Sequence, residues 1–222
     1  VLTEAGDEAG LNPDRPAKGR IRQVQEATIL EAAERVFARS GLAGSTLQAI
    51  ADAAGCPKST LLYYFGNKEA LHRAVLEHIL ALWLEGMEVI EPDADPRTAL
   101  TQYLRHKMRL SAERPHASRV FANELLHGAP QLLDTLRVDL RALVLRKAAV
   151  IEHWIAQGHL APVDPLHLFI SLWALTQTYA DFEVQVAAVL GSPLPLPASE
   201  QARATQHVES FVLRACGLIT CA

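Results

Sequence analysis

The stretch Thr46 to Lys68, TLQAIADAAGCPKSTLLYYFGNK, constrains this chain more than any other. Leu47, Ile50, Ala51 and Ala54 fall at i, i+3, i+4 and i+7, one apolar face of a short helix that Ser45 or Thr46 caps and Gly55 stops. Pro57, tolerated in a first turn, opens a second short helix in which Leu61, Leu62 and Phe65 pack back on the first. Two short helices around a tight glycine turn make a helix-turn-helix, whose second member lies in the DNA major groove with its N-terminal residues against base edges. Those residues are Lys58, Ser59 and Thr60. One turn on, Tyr63 and Tyr64 carry hydroxyls that can reach the sugar-phosphate backbone. Asn67 caps a third helix with Lys68 in its first turn, and Thr46 offers a phosphate contact at a helix N-terminus. The expected DNA contacts are therefore Thr46, Lys58, Ser59, Thr60, Tyr63, Tyr64 and Lys68.

A formal net charge of −4 argues against a nucleic-acid partner unless the charge is unevenly spread. It is uneven. Arg15 to Lys68 holds eight basic residues against four acidic ones, a local excess of +4 that leaves the remainder acidic. That pattern fits a basic reading head on an acidic body. Cys56, Cys216 and Cys221 show neither CxxC nor Cys/His ligand spacing, so no disulfide framework, metal or other cofactor is expected, and a reducing cytoplasm is. Cys56 reads as a small buried turn residue, with a redox sensor as the alternative. The longest apolar run, Leu166 to Leu175, is interrupted by His167 and Ser171 and too short to cross a bilayer, and the N-terminus lacks the apolar core of a signal peptide.

Residues 1–19 have no periodicity and read as a flexible tail ending in a basic arm (Arg15, Lys18, Arg20, Arg22) that either touches DNA or is solvated. Residues 20–66 form the expected helix-turn-helix domain, its first helix running from Arg22 to Ser40 with Gly41 as C-cap. Residues 67–222 form a second helical domain. The helix opening at Asn67 continues toward Ile90 and stops before Pro92. Further helices are expected from Asp95 or Pro96 to Glu113, from Pro115 to His127, from Pro130 to Gln157, from Pro165 to Leu190 and from Ser199 to Ile219. No strand signal appears, so the chain is all-α with about nine helices.

Read in full, the N-terminal stretch resembles the DNA-binding domain of the TetR family of bacterial transcriptional regulators. The likeness is carried by Ile29 to Ser40, Thr46, IADAAG (Ile50 to Gly55), KSTLLYYF (Lys58 to Phe65) and NKEAL (Asn67 to Leu71). It implies a homodimer on palindromic, double-stranded operator DNA, joined through its last two helices and answering to a small effector. Leu172, Leu175, Tyr179, Val186 and Val189, with Val208, Phe211, Val212, Ala215 and Leu218, are the apolar residues expected at that interface.

An effector needs a mainly apolar cavity with a few directed polar groups. Trp83, Trp173, Gln177 and Tyr179 are the candidates, with Tyr103, Lys107, Phe121 and Glu124 as further lining; each also reads as ordinary core packing. The segments Leu61 to Leu71, Pro115 to Leu132, Leu160 to Leu168 and Trp173 to Gly191 resemble the pyrimidine-utilisation repressors of that family. This resemblance implies uracil or thymine as effector, with Trp83, Trp173 and Gln177 matching the pocket. The chain departs from the usual pattern at Cys56 and Pro57 and in the 191–200 link. Three rivals are a regulator of efflux or other metabolism answering a bulky apolar ligand, a DNA-binding protein with no effector, and a helical enzyme. The enzyme reading rests on Glu124 and His127 at i and i+3, a spacing used in di-metal bundles, but the chain has no second such pair, no phosphate loop and no GxSxG or HExxH.

Overall fold

A computed structural model describes residues 18–219, and among these there is no strand. Ten α-helices of eight residues or more follow one another: α1 (Lys18–Gly44), α2 (Leu47–Ala54), α3 (Lys58–Phe65), α4 (Lys68–Glu85), α5 (Pro96–Glu113), α6 (Pro115–Leu126), α7 (Arg141–Ala156), α8 (Pro165–Asp181), α9 (Glu183–Leu190) and α10 (Ala198–Ala215). Residues 1–17, with Arg15 of the basic arm, lie outside the described residues.

Local chemistry sets the ends of the first helices. α1 is broken at Gly41, whose φ of 63° and ψ of 178° no helix contains. Thr46 caps α2 by accepting the Ala49 N–H at 3.1 Å, and Gly55 closes it at φ 66°. Asn67 caps α4 by accepting the Ala70 N–H at 2.7 Å. Thr46→Ala removes a cap and lowers stability by about 1 kcal/mol, read as a shifted urea midpoint at constant slope.

Later helices depart from the periodicity. The expected single helix from Pro130 to Gln157 starts as a short turn (Leu133–Thr135) and a π-helical turn (Leu136–Leu140) before α7. The expected helix from Pro165 to Leu190 breaks at Phe182 (φ −117°, ψ 33°), which separates α8 from α9 and makes the count ten.

Two apolar clusters hold the chain together. One joins α1 to α4 with α6, through Ile29, Phe37, Ile50, Leu61, Leu76, Trp83 and Phe121. The other joins α5, α7, α8 and α10, through Tyr103, Ile151, Trp154, Phe169, Leu172 and Val212. Each large apolar side chain buried this way contributes about 1.5–3 kcal/mol. Because Trp83 and Phe121 belong to the first cluster, the helices bearing the helix-turn-helix share a core with α6.

Candidate nucleic-acid interface and effector cavity

At the head of α3 the side chains of Lys58 and Ser59 are exposed and Thr60 is half-buried, while Leu61 anchors the helix at 1% exposure. Leu62, expected in the packing face, instead stands 43% exposed, because it lies about 100° around the helix from Leu61, while Leu61, Tyr64 and Phe65 pack on the core. Tyr63 projects into solvent at 77% exposure, edge-on to Tyr64 with ring centroids 5.4 Å apart. The Tyr64 hydroxyl donates to Gln25 at 3.2 Å, and the Arg22 guanidinium sits 5.7 Å from its ring centroid. Tyr64 thus ties α3 to α1, and Arg22 is held at the same surface. Lys68 is not a free cation: its ammonium donates to the carbonyls of Leu42 at 2.7 Å and Ser45 at 3.0 Å. Burial pushes the Cys56 thiol up, away from the thiolate that a redox sensor uses.

The body holds a small cavity between α4, α5, α6 and α8. Leu80, Trp83 and Leu84 line it from α4, Lys107 from α5, Phe121 from α6, Trp173 and Gln177 from α8, and Leu140 from the π-helical turn. Five of the expected effector residues, Trp83, Lys107, Phe121, Trp173 and Gln177, therefore meet in one place. Trp83 and Phe121 pack edge to face with centroids 4.5 Å apart. The Lys107 ammonium lies 4.6 Å from the Trp83 ring centroid, a cation–π contact, and the residue is 3% exposed. Burial lowers its pKa to about 8 against the opposing pull of Asp181. Asp181, half-buried at the end of α8, accepts the Ser118 hydroxyl, and burial raises its own pKa.

The other three fall elsewhere. Tyr103 stands behind the cavity wall, its hydroxyl accepting the Trp173 indole N–H at 2.8 Å, and burial pushes its pKa up. Tyr179 turns to the far side of α8, toward α9 and α10, because it is two residues past Gln177 and so nearly opposite it on the helix. Glu124 is 5% exposed and its carboxylate accepts the Gln131 N–H at 2.6 Å, which closes the loop after α6. His127 Nδ1 contacts the Asn123 carbonyl at 2.7 Å, so the i, i+3 pair is occupied with local bonds. Among the described residues no group of three or more His, Cys, Asp or Glu is placed to hold a metal ion. Ser118, Leu140 and Asp181 complete the surroundings and had no signal in the sequence, since each depends on contacts between distant helices.

Along α8, α9 and α10 runs an open groove of about 940 Å³, lined by Leu175, Tyr179, Val186, Val189, Leu190 and Val208 among others. Val189 is exposed here, and Phe182, Val184 and Phe211 are exposed elsewhere on these helices, whereas Leu172 and Val212, expected on this surface, are 3% exposed or less and belong to the chain's own core, and Val208, at 2%, forms the groove floor. No described helix is long and apolar enough to cross a membrane.

Two family models match the chain: "Bacterial regulatory proteins, tetR family" over residues 29–75, and "YcdC-like protein, C-terminal region" over residues 76–219. The HTH-type transcriptional regulator RutR of Escherichia coli is 45% identical over 177 residues, covering 80% of this chain and 84% of that protein. The HTH-type transcriptional repressor NicS of Pseudomonas putida is 34% identical over 59% of this chain and 61% of its own. Among solved structures, a TetR-like regulator from a Rhodococcus species superposes with a TM-score of 0.61 at 22% identity, covering 87% of this chain and 96% of that one. AibR, bound to isovaleryl coenzyme A and operator DNA, superposes at 0.60 and 20% identity over 84% of this chain and 97% of its own, a likeness of fold. The chain is a DNA-binding regulator rather than an enzyme, and it belongs to the TetR family of bacterial transcriptional regulators.

Proposed function

We propose that the protein is a dimeric repressor that leaves its operator when a pyrimidine base, uracil or thymine, occupies the cavity. The observation that carries this reading is the buried Lys107 ammonium, set against the Trp83 ring and sharing its cavity with the Gln177 amide. A 2,4-dioxopyrimidine offers alternating C=O and N–H groups on a flat ring. Gln177 can give and take one hydrogen bond each along such an edge, Lys107 can donate to a carbonyl oxygen, and the aromatic side chains supply the apolar contact. A long apolar effector would bury that ammonium without an acceptor, which a small cationic cavity disfavours.

The switch follows from size. The free space is about 40 Å³, room for a water molecule or two, so a base fits only when α4, α8 or the Leu140 turn moves outward. A ligand that requires the wider arrangement shifts the protein toward it by its differential affinity and no more. α4 carries that shift from Trp83 to the head, and Lys58, Ser59, Thr60 and Tyr63 then lose their register on the groove. Two heads held through the exposed apolar residues of α9 and α10 would read half-sites about 34–36 Å apart.

Titration calorimetry with uracil and thymine, on the free protein and on its complex with an operator duplex, tests the reading. Weaker effector binding to the DNA complex is expected; equal affinity in both would remove the switch. Gln177→Leu lowers uracil affinity by roughly ten- to a hundredfold, the worth of one or two hydrogen bonds.

A further inference from the structure

Two walls of the cavity meet at a single residue. Lys107 lies on α5 and Phe121 on α6, and Arg114 is both the C-cap of the first helix and the N-cap of the second. Its guanidinium reaches across to α1 and grips Glu34 with both ends, Nη2 to Oε2 at 2.6 Å and Nε to Oε1 at 3.4 Å. Nη1 also comes within 3.9 Å of Glu31. The Glu34 side chain is only 5% exposed, and His78 of α4 lies close enough to feel the Arg114 charge. Body, connecting helix and reading head therefore converge on one half-buried ion pair, its carboxylate enclosed and its guanidinium 23% exposed.

A largely desolvated pair of this kind adds little net stability over apolar side chains of the same volume, and its best attested use is to fix one arrangement among several. Arg–carboxylate forks suit that use because the two parallel bonds fix orientation as well as distance. We propose that the Arg114–Glu34 pair is the pivot that converts widening of the cavity into rotation of the head, an inference that rests on the effector reading above. Two elements join cavity and head: α4, with Trp83 in the cavity wall and Lys68 tied to the carbonyls of Leu42 and Ser45, and α6, whose Phe121 lines the cavity and shares an apolar core with α1. Apolar packing of α1 on α6 is non-directional and sets no single axis for the head. The directional bonds of Arg114 to Glu34 fix the point about which α1 and α4 turn together. Without them, displacement at Trp83 is spent as sliding of α1 over α6. Arg114 is in this sense a positioning residue: it does not line the cavity and is not among the expected DNA contacts.

The test is the factor by which saturating uracil weakens operator binding. In Arg114→Met and Glu34→Gln this factor drops about tenfold, while uracil affinity without DNA stays within about threefold of the parent. Removing Arg114 strands the enclosed Glu34 carboxylate, so the double variant Arg114→Met/Glu34→Leu provides a folded alternative in which neither charge remains. A purely structural brace would lower Tm and leave the factor unchanged; a folded double variant with the parent's full factor overturns the proposal. Calorimetry on the parent separates the two claims. If it binds no uracil, the effector reading fails, and the pivot is judged without ligand. Nitroxide labels at Gln48 and Glu152, in a background with Cys56 and Cys221 changed to serine, then report the head-to-body distance. A broader distance distribution in the double variant supports the pivot, and an unchanged one overturns it.

Discussion

Lys107→Met makes the ligand-free protein more stable and nearly deaf to uracil. The ammonium is 3% exposed and its pKa is lowered from 10.5 to about 8, so holding it charged at neutral pH costs roughly 3 kcal/mol at 1.36 kcal/mol per unit. Methionine keeps most of the volume and removes the charge, for a gain of about 1–3 kcal/mol and a rise in Tm of roughly 2–10 °C. The sign is open to a pH test. Between pH 8 and 10.5 the unfolded chain holds the Lys107 proton and the folded one does not, so the parent gains stability as pH rises through that window, and the variant lacks this gain. Cys216, pushed up to about 11 by burial, acts in the opposite sense, but it is common to both proteins and cancels in the difference. Binding pays the other side of the exchange: losing a charge-assisted hydrogen bond weakens uracil by about 10- to 150-fold. A variant less stable than its parent, or one that binds uracil as tightly, would remove Lys107 from the site.

Such a residue shows where sequence reading works and where it stops. The helix-turn-helix is legible because its signals are local: Thr46, Gly55 and Asn67 act within four residues of themselves. Trp173 and Gln177 are four apart and share a helix face, so finding one in the cavity brings the other. Tyr179 has the right chemistry and the wrong phase, and Glu124 has the right helix but lies where the chain turns back and needs a cap for Gln131. The π-helical turn that brings Leu140 over the cavity leaves the leucine spacing almost undisturbed, and so it reads as ordinary helix. Arg114 and Glu34 are 80 residues apart, and nothing in either neighbourhood announces the other. What escapes the sequence is therefore the set of contacts that join the head to the body, the part on which a switch depends.

Lys68→Ala is expected to separate two roles that one ammonium combines. Its three N–H donors exceed the two carbonyls it serves, at Leu42 and Ser45, which leaves one for a phosphate oxygen. Removing it strands the Ser45 carbonyl, leaves that of Leu42 with only the Ser45 N–H at 3.4 Å, and unties the start of α4, at a cost of about 1–3 kcal/mol in unfolding free energy. The turn it releases sets the position of Thr46 and, through α2, the angle at which α3 meets the groove. Operator affinity should fall by more than one phosphate contact explains, about ten- to a hundredfold, alike for specific and nonspecific duplexes, with the salt slope reduced by about one. Stability and slope are measured independently, and each can fail alone. An unchanged slope with a lowered Tm would make Lys68 a brace without a phosphate; a lowered slope with an unchanged Tm would make the carbonyl contacts incidental. Loss of both ties the folding of the turn to its grip on DNA, so that the charge anchoring α4 to the head is also the charge anchoring the head to its operator.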